Sequence, residues 1–229
     1  MSDYDSSGNR FLSKVYMWMF IGLMLTAVAS YGILRSPSLM SVFLSPGIFF
    51  VLVIVELVIV VLLSWKIKSM SPTTATLAFI LYSVISGITL TPVLFYYTEG
   101  SIFIVFLIAA GMFIGMSLVG YFIKKDLSGV GRFLFMALIG LIILSFVNII
   151  LFMISPSSAM VMDFLLSVAG VLIFAGLTAY DTQNIKKMGR TLDPRSPFSQ
   201  NIAIVCALKL YLDFINLFIR LLRLFGRRR

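Results

Sequence analysis

Hydrophobic residues fall into seven long runs, separated by short segments rich in Ser, Pro and basic residues. A helix needs about 20 mostly apolar residues to cross the hydrocarbon core of a membrane. Each run is close to that length or exceeds it, so each predicts a transmembrane helix. The seven predicted helices cover residues 11–34, 47–65, 74–96, 101–123, 131–154, 160–187 and 201–225.

This pattern predicts an all-α integral membrane protein, a bundle of seven transmembrane helices. Residues 1–10 form a short polar N-terminus, 11–225 a single transmembrane domain and 226–229 a basic tail. Composition agrees, because 60% of the residues are hydrophobic and 12% are charged. Soluble domains carry about 25% charged residues, so lipid is the expected solvent.

The charged residues are unbalanced, with 18 Lys and Arg against 9 Asp and Glu. The basic residues lie in short loops between apolar runs, as cytoplasmic loops do, and not on a nucleic-acid-binding face. A cytoplasmic N-terminus leaves only Arg35 outside before helix seven. It places the other loop cations inside: Arg10, Lys14, Lys66, Lys68, Lys124, Lys125, Arg132, Lys186, Lys187, Arg190 and Arg195.

The basic C-terminal tail conflicts with that orientation. Arg220, Arg223 and 227–229 lie outside if helix seven spans the membrane. Either the first six helices override the tail, or helix seven dips into the membrane and returns. We favour a seventh span.

Candidate chemistry is confined to carboxylates. The chain has no histidine, and Cys206 is its only cysteine, which excludes His-based catalysis and cysteine clusters for metals. Three acids lie within predicted helices: Glu56, Asp181 and Asp213. Inserting an ionisable group into a bilayer costs roughly 2.5–3.5 kcal/mol of free energy, so each of these acids requires a structural or functional explanation.

Each acid has a structural and a functional interpretation. Glu56 is either satisfied by a neighbouring helix or faces an internal cavity. Asp181 lies five residues before Lys186 and is either an interfacial acid or part of a site. Asp213 is four residues after Lys209, which permits an ordinary helical ion pair.

Asp181 and Asp213 each begin an Asp-x-x-Asn stripe, completed by Asn184 and Asn216. Two polar stripes on consecutive antiparallel helices are better explained by facing each other than by facing lipid. If helix seven enters the membrane at Asn201, Asp213 is about 18 Å deep and cannot meet Asp181 at about 7.5 Å. If Lys209 marks the interface, Asp213 is about 6 Å deep and the levels match.

Two carboxylates held close in a low dielectric cannot both ionise freely, so such a pair shares a proton near neutral pH. Calcium prefers carboxylate and carbonyl oxygens. Two carboxylates and two amides make a sparse site, so we expect weak calcium binding and no resident cofactor.

Weaker signals lie elsewhere. Pro92 predicts a kink in helix three, because it frees the carbonyl of Ile88. Asn148 is a lone polar residue on helix five. Small residues on helix four indicate close helix packing; they are Gly111, Gly115, Ser117 and Gly120.

Four segments resemble the motifs of the Bax inhibitor-1 family, also called the transmembrane Bax inhibitor motif family, in its bacterial branch. They are Ser-Gly-Ile-Thr-Leu-Thr-Pro at 86–92, Phe-Met-Ala-Leu-Ile-Gly at 135–140, Tyr-Asp-Thr-Gln at 180–183 and Leu-Asp-Phe-Ile-Asn at 212–216. The resemblance covers essentially the whole chain. It implies a central helix seven and a location in the bacterial inner membrane.

The resemblance also implies a calcium leak that pH controls through an aspartate pair, matched here by Asp181 and Asp213. Family members tether this pair with an arginine from helix two. Here Lys66 and Lys68 are the possible latch cations, without the bidentate geometry of arginine. A second implied role is to modulate a membrane-bound AAA protease through residues 1–10.

The leading hypothesis is therefore a pH-gated calcium leak channel and not an enzyme. Its polar line comprises Glu56, Asp181, Asp213, Asn148 and Asn216. A non-conducting regulator is the alternative. An intramembrane aspartyl protease also needs two aspartates, but the Gly-x-Gly-Asp context of such proteases is absent before Asp181.

Overall fold

A computed structural model describes residues 2–67, 69–193 and 196–229. Lys68 and Arg195, which the loop-charge argument used, lie outside the described residues. Within that range the chain forms eight α-helices: α1 Ser2–Leu34, α2 Pro37–Phe43, α3 Pro46–Trp65, α4 Pro72–Phe95, α5 Glu99–Phe122, α6 Ser128–Ile154, α7 Pro156–Gly189 and α8 Pro197–Phe225.

Seven of these helices are long and apolar enough to cross a membrane, which confirms the predicted fold class. They are α1 and α3 to α8, corresponding to predicted helices one to seven. The remaining helix, α2, was not predicted, because seven residues are too few to show a helical period. α1 begins at Ser2 and not near residue 11, so the polar N-terminal residues continue the first helix.

Most helices begin at a Ser-Pro pair. Proline suits the first helical position because its missing N–H would have no partner there. The preceding serine can cap the helix, as Ser71 does by accepting a hydrogen bond from the Thr74 N–H at 3.1 Å. The pairs that start helices are residues 36–37, 45–46, 71–72, 155–156 and 196–197.

The chain divides into two compact units. Unit 1 comprises Met1–Tyr96 and Ile185–Tyr211, and unit 2 comprises Tyr97–Asn184 and Leu212–Arg229. In unit 1, α1 packs closely on α4: a Cβ added at Gly87 would lie 2.5 Å from the Thr26 carbonyl oxygen. Tyr211 of α8 is fully buried and packs edge-on against Tyr82, with ring centroids 5.6 Å apart.

In unit 2, α8 packs on α5 through aromatic side chains. Phe214 meets Phe106 and Phe113 with centroid separations of 5.4 and 5.6 Å. On another side α7 packs on α5 so closely that a Cβ at Gly120 would clash with the backbone carbonyl of Ala179. Glycine at this position is therefore required by the approach of the two helices.

α8 runs without interruption for 29 residues, about 44 Å at 1.5 Å per residue, which is long enough to span. It is the most buried of the candidate spans found among the described residues. Both observations agree with a central helix seven that does not dip and return.

The C-terminal tail is tied to the connection between α4 and α5. Arg228 forms an antiparallel backbone bridge with Tyr97, and the Thr98 N–H donates to the Arg227 carbonyl at 3.0 Å. Arg229 lies 3.9 Å from the Glu99 carboxylate. We call this end of unit 2 the tail end; the loop at 123–127 lies at the opposite end of α5.

Candidate functional site

Asp181 on α7 and Asp213 on α8 are both buried within unit 2. Their exposed fractions are 9% and 6%. Such burial of an acid in an apolar helix has a large desolvation cost unless other groups compensate it. The two aspartates are therefore held inside the protein and do not face lipid.

The register of the two helices follows from one contact. Gly170 of α7 packs against the Arg220 side chain of α8, since an added Cβ would lie 2.9 Å from its Cδ. Asp181 lies 11 residues from Gly170, about three full turns, and Asp213 lies 7 residues from Arg220, about two turns. Both aspartates thus share the helix faces through which α7 and α8 meet.

The same register gives their levels. Asp181 lies about 16.5 Å along α7 from the contact and Asp213 about 10.5 Å along α8, an offset of about 6 Å. Helical side chains lean toward the N-terminus of their own helix. Since α7 and α8 are antiparallel, the two carboxylates lean toward each other and reduce that offset. The offset of about 6 Å is smaller than the one expected if helix seven enters the membrane at Asn201. It is larger than the one expected if Lys209 marks the interface.

Neighbouring side chains occupy the other sides of α7 at this level. Ala179 packs on Gly120 of α5, and the Tyr180 ring lies against Gly131 of α6. Both contacts lie next to Asp181, and Asp181 itself shares the α7 face that contacts Arg220 of α8.

Gln183 fixes the end of α7 that carries Asp181, a role the sequence argument missed. Its side-chain oxygen accepts from the Leu127 N–H at 3.0 Å. Its amide donates to the carbonyls of Lys125 at 2.8 Å and Ile123 at 3.3 Å. The sequence contains part of the signal for this role. Gln183 follows Asp181 by two residues in a predicted membrane helix, and a buried amide needs hydrogen-bond partners.

Glu56 is a half-buried residue of α3 in unit 1. It accepts a hydrogen bond from the Thr89 hydroxyl of α4 at 3.0 Å. The Ser86 side chain is a further hydrogen-bonding neighbour of Glu56 and of Tyr211. A neighbouring helix therefore satisfies Glu56, which agrees with the structural interpretation of this acid.

Among the described residues, the remaining polar candidates make no hydrogen bond to either aspartate. The Asn216 amide donates to the Leu212 carbonyl of its own helix at 2.8 Å. Asn184 and Asn148 are half-buried. Lys209 is exposed and makes no ion pair among the described residues, so the helical pair with Asp213 that the spacing permits does not form.

The lysine latch of the aspartate pair and the helix kink at Pro92 remain predictions. Lys66 follows α3 as its exposed C-cap residue in unit 1, and Lys68 lies outside the described residues. α4 continues through Pro92 as one helix. Of the predicted small-residue contacts on α5, Gly120 is close-packed, whereas Gly111 and Gly115 face open space.

A metal ion would find few ligands. The described residues contain no group of three or more His, Cys, Asp or Glu side chains able to hold one. Two carboxylates supplemented by carbonyl oxygens suit a hard cation that binds weakly and leaves readily.

The family of the chain follows from profile comparison. The family described as "Inhibitor of apoptosis-promoting Bax1" matches residues 8–229. The chain belongs to the Bax inhibitor-1 family.

Relatives within the Bax inhibitor-1 family extend over nearly the whole chain. The inner membrane protein YbhL of Escherichia coli K12 is 43% identical over 221 residues, covering 96% of this chain and 92% of YbhL. An uncharacterized protein of Borreliella burgdorferi is 43% identical over 222 residues, covering 96% and 93%. An uncharacterized membrane protein of Streptococcus pyogenes is 36% identical over 226 residues, covering 97% and 95%.

Membership of the Bax inhibitor-1 family agrees with the motifs around 86–92, 180–183 and 212–216. Together with the seven apolar helices it makes the chain a multi-pass membrane protein. The buried aspartates lie in two of those motifs.

Proposed function

We propose that the chain is a pH-sensitive calcium leak channel of the bacterial inner membrane, with a cytoplasmic N-terminus. Asp181 and Asp213 form its gate. The observation that carries the proposal is the burial of these two acids on the facing sides of α7 and α8, about one helical turn apart.

A shared proton supplies the pH sensitivity. When one carboxyl is protonated, the pair carries a single charge and can hydrogen-bond internally. When both are ionised, they repel each other unless a cation lies between them. Proton and calcium thus compete for the same oxygens, so acidification removes the cation and changes the state of the gate.

Weak binding is a requirement of such a role. Conduction needs a site favourable enough for the ion to enter and weak enough for it to leave. Two carboxylates without a larger ligand cluster fit this requirement better than they fit a storage or structural calcium site.

The test is calcium flux into liposomes that contain the purified protein, measured from pH 5 to 8. We expect flux that changes with pH in the wild type and becomes flat in Asp181→Asn and in Asp213→Asn, because neither variant can share a titratable proton. Glu99→Gln is the control, since this carboxylate is 71% exposed at the tail end. It should retain the wild-type profile.

Other results would redirect the interpretation. A pH response that survives in both asparagine variants would overturn the aspartate gate. Flux no higher than that of empty liposomes at any pH would favour a non-conducting regulator, for instance of a membrane-bound AAA protease. Capture of such a protease should then persist in the variant that carries both Asp181→Asn and Asp213→Asn.

A further inference from the structure

Arg220 is a cation inside the membrane-spanning part of α8. It lies five residues before the end of that helix and is half-buried. Its side chain packs over Gly170 of α7 and turns toward α6, where its guanidinium donates to the Ser145 hydroxyl at 3.4 Å. Ser145 is itself nine residues, about 13.5 Å, from the tail end of α6.

The guanidinium has no close counter-ion among the described residues. The nearest candidate, Asp163 of α7, interacts with Arg220 only at longer range. That carboxylate is already paired with Arg223 at 2.6 Å. A charged group placed in a bilayer at a cost of roughly 2.5–3.5 kcal/mol is by default a functional candidate.

Arg220 and Asp213 share one face of α8, seven residues apart. The Arg220 Cα therefore lies about 10.5 Å beyond the Asp213 Cα along α8, toward the tail end. A cation that leaves the aspartate pair in that direction approaches an unneutralised guanidinium in a medium that screens charge poorly.

We propose that Arg220 is the electrostatic barrier of the leak, a positioned cation that limits passage and discriminates against divalent ions. This inference rests on the proposed conduction past Asp181 and Asp213. It adds the residue that sets how fast, and for which charge, ions cross.

Two acceptor oxygens one turn toward the tail end offer the guanidinium a second position. The buried Ser167 hydroxyl of α7 precedes Gly170 by three residues, and the Asn148 side-chain oxygen of α6 follows Ser145 by three. Neither oxygen has a hydrogen-bond partner among the described residues. A move of the guanidinium to these acceptors would carry it farther from Asp213, and we infer that this is the open position of the barrier.

The experiment compares potassium and calcium flux through wild type, Arg220→Gln and Arg220→Lys in liposomes. A Coulomb barrier scales with the charge of the ion, so the fold-increase for Ca²⁺ is the square of that for K⁺. If Arg220→Gln raises K⁺ flux about threefold, Ca²⁺ flux should rise about ninefold. Arg220→Lys keeps the charge and should stay near the wild type.

A second variant set tests the open position. Asn148→Leu combined with Ser167→Ala removes both free acceptors and should lower flux by several-fold. In an Arg220→Gln background the same pair of changes should have no effect. An equal loss in both backgrounds would overturn the second position.

The outcomes separate the two proposals. Equal increases for K⁺ and Ca²⁺, or an Arg220→Lys variant as leaky as Arg220→Gln, would indicate lost bulk and overturn the barrier. Unchanged flux in Arg220→Gln with an intact aspartate response would overturn the barrier alone. Absence of flux in the wild type and in every variant would overturn both proposals.

Discussion

Gln183 shows how a single side chain can position a gate that it does not join. It ties the end of α7 to the backbone of the α5–α6 connection through three hydrogen bonds. Asp181 lies two residues away on the same helix. The level and rotation of the carboxylate are therefore fixed by an amide that is bonded to three main-chain groups.

Replacing Gln183 with leucine should lower the free energy of unfolding by about 2 kcal/mol, because buried main-chain groups lose their partners. Thermal unfolding in detergent micelles would measure the change. Asn184→Leu is the matched control, since its half-buried side chain makes no hydrogen bond to the described residues. Equal melting of the two variants would contradict the anchoring role.

At the scale of single residues, the buried acids could be identified from the sequence, but the contacts of the side chains around them could not. Asp181 and Asp213 stand out because a charge inside an apolar run is costly wherever the helix lies. The partners of Gln183, and the contact of Arg220 with Ser145, depend on which helices and loops become neighbours. That information resides in tertiary packing and not in local pattern.

At the scale of helices, close approach is concentrated at particular glycines. Gly120 admits the backbone of α7 at Ala179, and Gly131 admits the Tyr180 ring. These two contacts involve the two residues before Asp181, so the packing of α5 and α6 against α7 also orients the gate.

Gly120→Ala should destabilise the protein by about 1–3 kcal/mol, because the new methyl group meets a backbone carbonyl that cannot move aside cheaply. Gly111→Ala on the same helix should be neutral or stabilising by up to about 1 kcal/mol, since it gains helix propensity in open space. Unfolding midpoints of the two variants provide the comparison. A stable Gly120→Ala would mean that α5 and α7 are less closely packed than described.

Helix existence was predictable, but helix edges and contacts were less so. The seven spans follow from run length alone, whereas α2 is too short to show periodicity. Gly111, Gly115 and Gly120 are all small residues of one helix, yet of these three glycines Gly120 alone is close-packed. A small residue permits an approach, and the neighbouring helix decides whether the approach occurs.

At the scale of the whole molecule, orientation in the membrane can be tested with a single-cysteine strategy. The native Cys206 is buried, with 2% exposure, so it should remain silent toward a membrane-impermeant maleimide. We expect Arg228→Cys to be labelled in intact spheroplasts and Lys124→Cys only after lysis. These exposed residues lie at opposite ends of unit 2.

The reverse labelling pattern would place the N-terminus outside. Labelling of both positions in intact spheroplasts would contradict a full crossing by α5 and by α8.

The sequence left the basic tail in conflict with a cytoplasmic N-terminus, because the charge rule counts the basic residues of every short loop equally. The unbroken α8 is long enough for a crossing, and the tail that follows it is bound to the α4–α5 connection.

The attachment of the tail also has a consequence for biosynthesis. Arg228 is synthesised 131 residues after Tyr97 (228 minus 97), which at about 5–20 residues per second is a delay of about 7–26 seconds. Gln183 and Asn201 likewise reach back to connections made earlier, Asn201 through the carbonyls of Ile67 and Met70. During synthesis these connections therefore form their contacts only after α7 and α8 have been made.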